Sequence, residues 1–398
     1  MPRVRLKDIC EVSWGDTTKT KASYMPEGYP AYSASGCDGF LPYFDHEGPG
    51  VVLSAIGAQC GKTWFAQGRW SCIKNTIYIK TAAPNADPRF IFYATSDPDM
   101  WPKRGAAQPF ISQTDAQNVE IELPPLAMQR RIASILSAYD ELMENCERRI
   151  RVLEQTARVL YREWFVEFRF FCHEKVPRID SALGPIPKSW EVRTLNEVVD
   201  DIVDYRGKTP AKLDGNWSNE GVLALSALNV KGGRLVNLEK SRRVNEELYS
   251  RWMKNPLRSG DILMTSEAPL GELFFCWKQQ RFCLSQRLFS LRANSRIIAP
   301  IILYLFMESE QTQQELRSRA SGATVSGIRQ SELRNVPVLV PPRSVQGRAE
   351  PILRKLADLK GTLDESLAKL RDMRDLLLPR LLSGQVALDV SAIEEVAA

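Results

Sequence analysis

Histidine is nearly absent from this chain: His46 and His173 are the only two in 398 residues. That leaves little material for imidazole-based acid–base chemistry, although carboxylates are available. The eight cysteines (Cys10, Cys37, Cys60, Cys72, Cys146, Cys172, Cys276 and Cys283) form no C-x-x-C pair. A zinc site or a disulfide framework is therefore not expected, and a reducing cytoplasm fits best. No apolar run reaches the roughly 18 residues of a membrane span. The opening MPRVRLKDICEVSW has no signal-peptide apolar core. The expectation is a cytoplasmic chain with no metal, no cofactor and no membrane partner. Charge of one sign is also scarce. Lys and Arg number 53 against 48 Asp and Glu, a formal +5. Residues 1–122 hold 12 basic against 13 acidic side chains, and residues 185–339 hold 22 against 17. This balance permits nucleic-acid binding if the basic groups cluster on one face, and does not prove it.

What the sequence does have is one long stretch free of helix breakers. From Leu123 to Phe168 it reads LPPLAMQRRIASILSAYDELMENCERRIRVLEQTARVLYREWFVEF, with no Gly or Pro after Pro124-Pro125 until Pro177. Ile132, Tyr139, Cys146, Leu153 and Leu160 recur every seven residues. A second row starts at Ile135 and Leu142 and drifts to Ile150, Ala157 and Trp164. The pattern predicts one long helix with a narrow apolar seam, as in a coiled coil. The stretch recurs from Val340, again opening with Pro-Pro. The offset that carries Pro124 onto Pro341 also carries Tyr139, Cys146, Leu153 and Leu160 onto Leu356, Leu363, Leu370 and Leu377. Pro351 is expected to force the start of this second helix to that residue. Gly361 should cost about 1 kcal/mol against Ala within it.

The segments between the helices repeat as well. Residues 1–122 read as α/β with much loop. VRLKDICEVSWG is a short strand, a helical turn and a second strand; residues 51–56, 62–66 and 73–79 are β-rich runs; and 88–101 is a candidate helix. Residues 171–189 are a linker with three prolines and a glycine. Residues 190–339 repeat the first order with larger insertions. WEVRTLNEVVDDIV matches VRLKDICEVSWG, and 260–292 matches the triple β run. IILYLFMESEQTQQELRSRAS is the helix, and GATVSGIRQSELRNVPVLVPP matches AAQPFISQTDAQNVEIELPP with Ser326 beside Ser112. The domains expected are 1–122, a helix over 123–170, the linker 171–189, a second domain 190–339, a second helix 340–386 and a tail 387–398. For the two seams to bury each other the second helix most simply runs back antiparallel to the first, an arrangement expected from topology that would relate the domains by a pseudo-two-fold axis.

Motifs of catalysis are weak. GAQCGKT (Gly57–Thr63) has three residues between its glycines where a phosphate-binding loop needs four, and TWFAQ after it is strand-like. A β-turn with a solvated Lys62 and a DNA-facing hairpin both remain open. No Asn-Pro-Pro-aromatic methyltransferase motif occurs, Asn255-Pro256-Leu257 being a poor substitute, and Asp97-Pro98-Asp99 lacks the pattern of a nuclease metal site. Tyr161, Trp164 and Phe165 read either as packing for the second domain or the returning helix, or as a partner contact.

LPPLAMQRRIASIL, VLYREWFVEF, GPIPKSWEVRTLNEV and LRDMRDLLLPRLLSGQV, in this order and duplicated, resemble the specificity subunit of type I restriction–modification systems. Arg343, Gly347 and Pro351 depart from that family's usual run after Pro-Pro. The resemblance implies an α/β (α+β) fold with two loop-rich target-recognition domains, separated by two long helices that form an antiparallel coiled coil. It implies a non-catalytic subunit whose domains each read one half of a bipartite double-stranded DNA site. The helices would set the gap and hold two methyltransferase subunits, with restriction subunits joining that core. A related multisubunit type II system built on the same plan, a coiled-coil protein–protein adaptor, and an NTP-dependent enzyme using Gly57–Thr63 are the competing readings. Phosphate contacts need Lys or Arg, and base edges favour Arg, Asn or Gln. The polar, basic loops thus offer Thr18, Lys19, Lys21, Lys62, Lys103, Arg104 and Gln108 in the first domain. In the second they offer Tyr205, Arg206, Lys208, Lys231, Arg234, Gln286 and Arg287.

Overall fold

A computed structural model describes residues 2–105, 107–322, 326–386 and 388. The expected tail, 387–398, lies outside the described residues apart from Leu388. The chain folds as two compact units, residues 1–144 with the chain from 368 onward, and residues 145–367. The long helices run over Leu126–Tyr161 and Arg343–Leu382. Each unit therefore combines one globular domain with one end of both helices.

In the first unit Arg3–Arg5 pairs antiparallel with Glu120–Glu122, and the single helical turn Leu6–Ile9 follows. Cys10–Trp14 then opens an antiparallel sheet in the order Cys10–Trp14, Thr76–Thr81, Gly50–Ser54, Thr63–Ala66. Gly50–Ser54 is buried along its whole length, which is why it reads as a continuous apolar run and not an alternation. A second sheet holds Gly36–Leu41, Tyr29–Ser33, Arg69–Cys72 and His46–Glu47, with Tyr32 paired in parallel to Cys72. The helix Pro88–Ala94 starts on Asp87, whose carboxylate accepts from the amides of Arg89 and Phe90, with proline at the first turn.

The second unit repeats this plan. Glu191–Thr194 pairs with Pro337–Val340, and Leu195–Val198 is closed by a reciprocal Thr194–Glu197 cap. The main sheet runs Val199–Asp204, Leu288–Ala293, Ile262–Thr265, Leu273–Phe275. Leu225 pairs in parallel with Leu284, as Tyr32 does with Cys72. The linker is not free chain: Phe170, Ile186 and Trp190 are buried with Tyr161 and Phe165 in this unit's core. Trp190 lies 5.8 Å from the Phe165 ring and 5.7 Å from that of Phe170. The packing reading of Tyr161 and Phe165 thus describes their place, with Trp164 half-buried beside them.

Several expectations are corrected. The helix of IILYLFMESEQTQQELRSRAS is two helices, Pro300–Glu308 and Glu310–Ser318. Ser309 between them is extended and its hydroxyl accepts from the Thr312 amide, so a serine N-cap divides an otherwise helical run. The second long helix begins at Arg343, ahead of Pro351. Proline removes the hydrogen bond to the carbonyl four residues back and crowds it. That carbonyl belongs to Gly347, and both Gly347 and Pro351 are exposed, so the carbonyl that the proline leaves without a donor is not buried. The repeat also aligns differently at its end. Phe110 bridges to Ile56 and Arg104, as Gly327 bridges to Glu267 and Ser321, so Ser112 corresponds to Arg329 and not to Ser326.

The seam has its own phase. On the first helix Ile132, Ala133, Leu136, Met143, Ile150 and Tyr161 are buried, while Tyr139, Cys146, Leu153 and Leu160 are half-buried. The deep heptad row is Leu136, Met143, Ile150, one position from the expected Ile135 and Leu142; Leu142 is 55 % exposed. Leu142 and Met143 are both apolar, so periodicity alone could not choose between them. On the second helix Leu363 is buried and Leu356, Leu370 and Leu377 are half-buried. Its deep row is Leu353, Leu367 and Leu381, interrupted at heptad spacing by Lys360 and Arg374. Both cations meet acids of the first helix. In the first unit Arg374 lies 3.1 Å from Asp140, whose other oxygen accepts from the Tyr93 hydroxyl at 2.7 Å. Burial, then the bond to Asp140, raises the Tyr93 phenol above its ordinary range. In the second unit Lys360 lies 3.5 Å from Glu154 and 2.9 Å from Asp364. In the first unit Leu381 is buried with Ile132, Ala133 and Leu136 while Arg374 meets Asp140, and in the second Leu353 is buried with Tyr161 while Lys360 meets Glu154, so the pairing is antiparallel in each unit.

Gly361 also has a packing role. A Cβ there would stand 2.3 Å from the indole of Trp277, so the ring lies directly on the helix backbone. Gly361→Ala should therefore lower the unfolding midpoint. The helix-propensity gain of about 1 kcal/mol is outweighed by an overpacking cost of about 1–3 kcal/mol. A raised midpoint in urea denaturation would show that Trp277 yields freely. For the seam, Arg374→Glu should destabilise by about 1–3 kcal/mol through a like-charge contact with Asp140, and adding Asp140→Arg should recover at least half of the loss. A strictly additive double mutant would contradict the pairing.

Candidate nucleic-acid interface

In each main sheet the connections leave from one end. In the first unit Cys10–Trp14 and Gly50–Ser54 finish where Thr63–Ala66 and Thr76–Thr81 begin, with Trp14 opposite Ile77 and Leu53 opposite Thr63. Loops 15–21, 55–62 and 73–75 therefore share that end. They are tied together by backbone bonds: Asp16 N–H to Cys72 O at 2.8 Å, Lys74 N–H to Lys19 O at 3.2 Å and Ala55 N–H to Asn75 O at 3.0 Å. Loop 98–110 joins through Gly57 N–H to Pro109 O and through the close contact of Gly61 with Pro98 and Lys103. All seven first-domain candidates stand on these loops.

Their charges are in different states. Lys21 lies 2.6 Å from Asp38, Lys103 lies 3.1 Å from Asp99 and Arg104 lies 2.6 Å from Asp115. The Thr18 hydroxyl and amide bond to Asp16, which holds that carboxyl below its usual range. Lys19 stands 5.9 Å from the Tyr43 ring. Lys62 and Gln108 are exposed, and Lys62 has no ion pair among the described residues. The Gly57–Thr63 turn runs from strand to strand, since Thr63–Ala66 follows it and no helix does. No helix N-terminus is present to hold a phosphate there.

The second unit builds the same end. Asp204 stands opposite Phe289 and Thr265 opposite Leu288, which places Tyr205, Arg206, Lys208, Gln286 and Arg287 on neighbouring loops. Arg287 takes a left-handed conformation (φ 64°), as Asn75 does (φ 73°), and each carbonyl accepts from the start of the adjoining loop, Ser266 or Ala55. Arg206 is held by both oxygens of Asp204 at 2.8 and 2.7 Å, and Arg287 lies 2.9 Å from Glu267. Lys208 donates to the Trp252 carbonyl at 3.0 Å and stands 4.1 Å from the Tyr205 ring; burial, then nearby Lys254, lowers its pKa. The Tyr205 hydroxyl accepts from the Asn255 amide.

Beside these loops lies a cleft of about 530 Å³, walled by Lys208, Trp217, Lys240, Arg242, Trp252 and Gln286. Arg242 stands 5.2 Å from the ring of half-exposed Trp217. Cations over exposed aromatic rings suit a polyanion with planar bases.

Two second-domain candidates lie apart, on the hairpin Val230–Lys231 and Arg234–Leu235. Lys231 is exposed there. Arg234 is turned to the long helices, 3.4 Å from Asp364 and 4.0 Å from Glu154, while Lys360 donates to the neighbouring Gly233 carbonyl at 2.9 Å. A guanidinium committed to two carboxylates is not available to a phosphate, so Arg234 belongs to the helix pair. Sequence reasoning missed Lys74, Lys240, Arg242 and Trp217. Only Lys74 left a signal: Lys-Asn before the strand TIYIK suits a tight left-handed turn. Among the described residues no group of three or more His, Cys, Asp or Glu side chains could hold a metal, and no helix is long and apolar enough to cross a membrane.

The family model described as the type I restriction modification DNA specificity domain matches residues 2–155 and 187–369. The MjaIX specificity subunit of a type I restriction enzyme from Methanocaldococcus jannaschii is 21 % identical, over 97 % of this chain and 93 % of its own length. The MjaVIII specificity subunit of the same organism is 25 % identical over 84 % of this chain and 79 % of its own. Among solved structures, the S subunit of a type I restriction-modification system from M. genitalium shares the fold, with a TM-score of 0.68 at 15 % identity over 96 % of this chain and 95 % of that one.

Proposed function

We propose that this chain, which belongs to the type I restriction–modification DNA specificity family, is the non-catalytic subunit that reads a bipartite double-stranded DNA site. Each globular domain binds one half of the target through the loops at the end of its main sheet. The observation that carries this reading is duplication. The same sheet end, with the tie from Ala55 N–H to Asn75 O matched by that from Ser266 N–H to Arg287 O and with cations and amides on its loops, occurs once in each unit, as a two-part target requires. The paired helices set the unread gap and dock two methyltransferase subunits, on which restriction subunits assemble. Exposed Val152 and Val159, seven residues apart on the first helix, and Met373 and Leu376, three apart on the second, each share one helix face and support a protein partner. This assembly works in the cytoplasm.

The test is methylation of a randomised target library by the chain assembled with its methyltransferase subunits. A split motif with a fixed gap is expected. Replacing 1–122 with the matching segment of a relative should change one half of the motif only; a folded chimera that changes both halves contradicts the division of labour. Exposed, unpaired Lys62 and ion-paired Arg234 make a sharper comparison. Lys62→Ala should weaken DNA binding across sequences and reduce the salt slope by about one unit. Arg234→Ala should leave the slope unchanged and lower the melting temperature. Equal slopes for Lys62→Ala and the unaltered chain would remove that loop from the interface, and saturable ATP binding lost on the same substitution would overturn the reading.

A further inference from the structure

Two fully buried glutamines stand at equivalent places in the two units. Gln129 is the fourth residue of the first long helix and Gln346 the fourth of the second, each five residues after the first proline of its Pro-Pro pair. Both are 0 % exposed. The Gln129 oxygen accepts from the Asp87 amide at 2.9 Å, and its amide nitrogen donates to the carbonyls of Asn85 at 2.9 Å and Pro124 at 2.8 Å. The Gln346 oxygen accepts from the Ala299 amide at 2.8 Å, and its nitrogen donates to the carbonyls of Ile297 at 2.8 Å and Pro341 at 2.7 Å. Asp87 and Ala299 are the N-cap residues of the domain helices Pro88–Ala94 and Pro300–Glu308. The same three bonds thus join the root of each long helix to the start of its domain's own helix and to the chain entering the Pro-Pro pair.

We infer that Gln129 and Gln346 are positioning residues that fix the direction in which each long helix leaves its globular domain, and so set how strictly the protein reads the gap between half-sites. The inference rests on the proposed DNA-reading function. Each side-chain amide is itself fully buried and uses its acceptor and both donor hydrogens on backbone groups, so a rotamer that breaks any of these bonds leaves a buried amide unpaired. Apolar packing alone tolerates small rotations, whereas three convergent hydrogen bonds do not. The lever is long. A helix of 36 residues spans about 54 Å, so a tilt of about 5° at its root moves its far end by about 5 Å. That exceeds the rise of one base pair, about 3.4 Å.

The experiment uses the chain assembled with its methyltransferase subunits and a library of targets that keeps both half-sites and varies the gap one base pair at a time. Gln129→Met, Gln346→Met and the double variant keep the side-chain volume and remove the bonds. Val52→Ala, in the first unit's sheet and away from the helix roots, is the control for lost stability alone. The methionine variants should keep both half-sites and accept gaps one base pair longer or shorter, with relative methylation of those targets raised about tenfold. Val52→Ala should lower the melting temperature and leave the gap profile sharp. A sharp, unchanged profile in the methionine variants overturns the inference, as does equal broadening in Val52→Ala. If a methionine variant does not fold, Gln→Asn at the same position, which keeps the amide but cannot reach all three partners, is read by the same criteria. A flat gap profile in the unaltered protein overturns the DNA-reading function itself, a failure distinct from that of the glutamines.

Discussion

An apolar seam interrupted by opposite charges governs the long helices. Two helices with heptad leucines can pair in either direction and slip by a heptad at little cost. Asp140 and Glu154 on one helix, with Arg374 and Lys360 on the other, remove that freedom. Each pair favours the antiparallel register of the helix ends in its own unit. These groups are half-buried, and an unpaired charge there would lose hydration without recovering it. They act as specificity devices more than as sources of stability. The second unit draws Asp364 and Arg234 into the same network, which ties a hairpin of its globular domain to the seam.

The two units keep what holds them and vary what they present. The terminal strand pair, the helical turn, the main sheet, the parallel contact and the buried glutamine recur. The segment between the second sheet's first strand and the main sheet does not. In the first unit it is two short strands, Gly36–Leu41 and His46–Glu47. In the second it holds the hairpin with Arg234, the strand Arg243–Val244 and the helix Glu246–Trp252. The Trp217–Arg242 cleft lies on this added layer and on the loops before it. A chain built by duplication can diverge here without disturbing its main sheets, because none of these segments supplies a strand to them.

Much of this was legible in the sequence, and the failures share a cause. The Pro-Pro openings, the breaker-free helix, the strand–turn–strand starts and the constant offset between repeats are one-dimensional signals, and the structure has the corresponding elements. What the sequence hid depends on which neighbour a residue meets. Leu142 and Met143 are equivalent to any periodicity, yet one is exposed and the other buried. Pro351 is a helix breaker on paper and harmless where it faces solvent above a glycine. Gly361 reads as a weak point and is the seat of Trp277. Arg234 has the chemistry of a phosphate ligand and is spent on Glu154 and Asp364. Gln129 and Gln346 are wholly buried, and nothing in the sequence marks a glutamine as such.

The loop-end cations carry one further consequence. Lys21, Lys103, Arg104, Arg206 and Arg287 each rest on a carboxylate before any ligand arrives. A phosphate that recruits one of them must displace that carboxylate or accept it as a neighbour, so much of the Coulomb gain is offset. In the proposed role, counterion release would then come mainly from cations that have no ion pair among the described residues, such as Lys62 and Lys74. The paired cations are better suited to base edges. A guanidinium held by Asp204 or Asp115 keeps a fixed orientation, and two parallel donors facing a guanine edge discriminate only if they are held in place. In the proposed DNA-reading role, the acids beside the basic loops would lower non-specific attraction to any duplex while orienting the groups that distinguish one sequence from another. Such a division would follow from the ion pairs and would suit loop ends in a chain whose total charge is so mild.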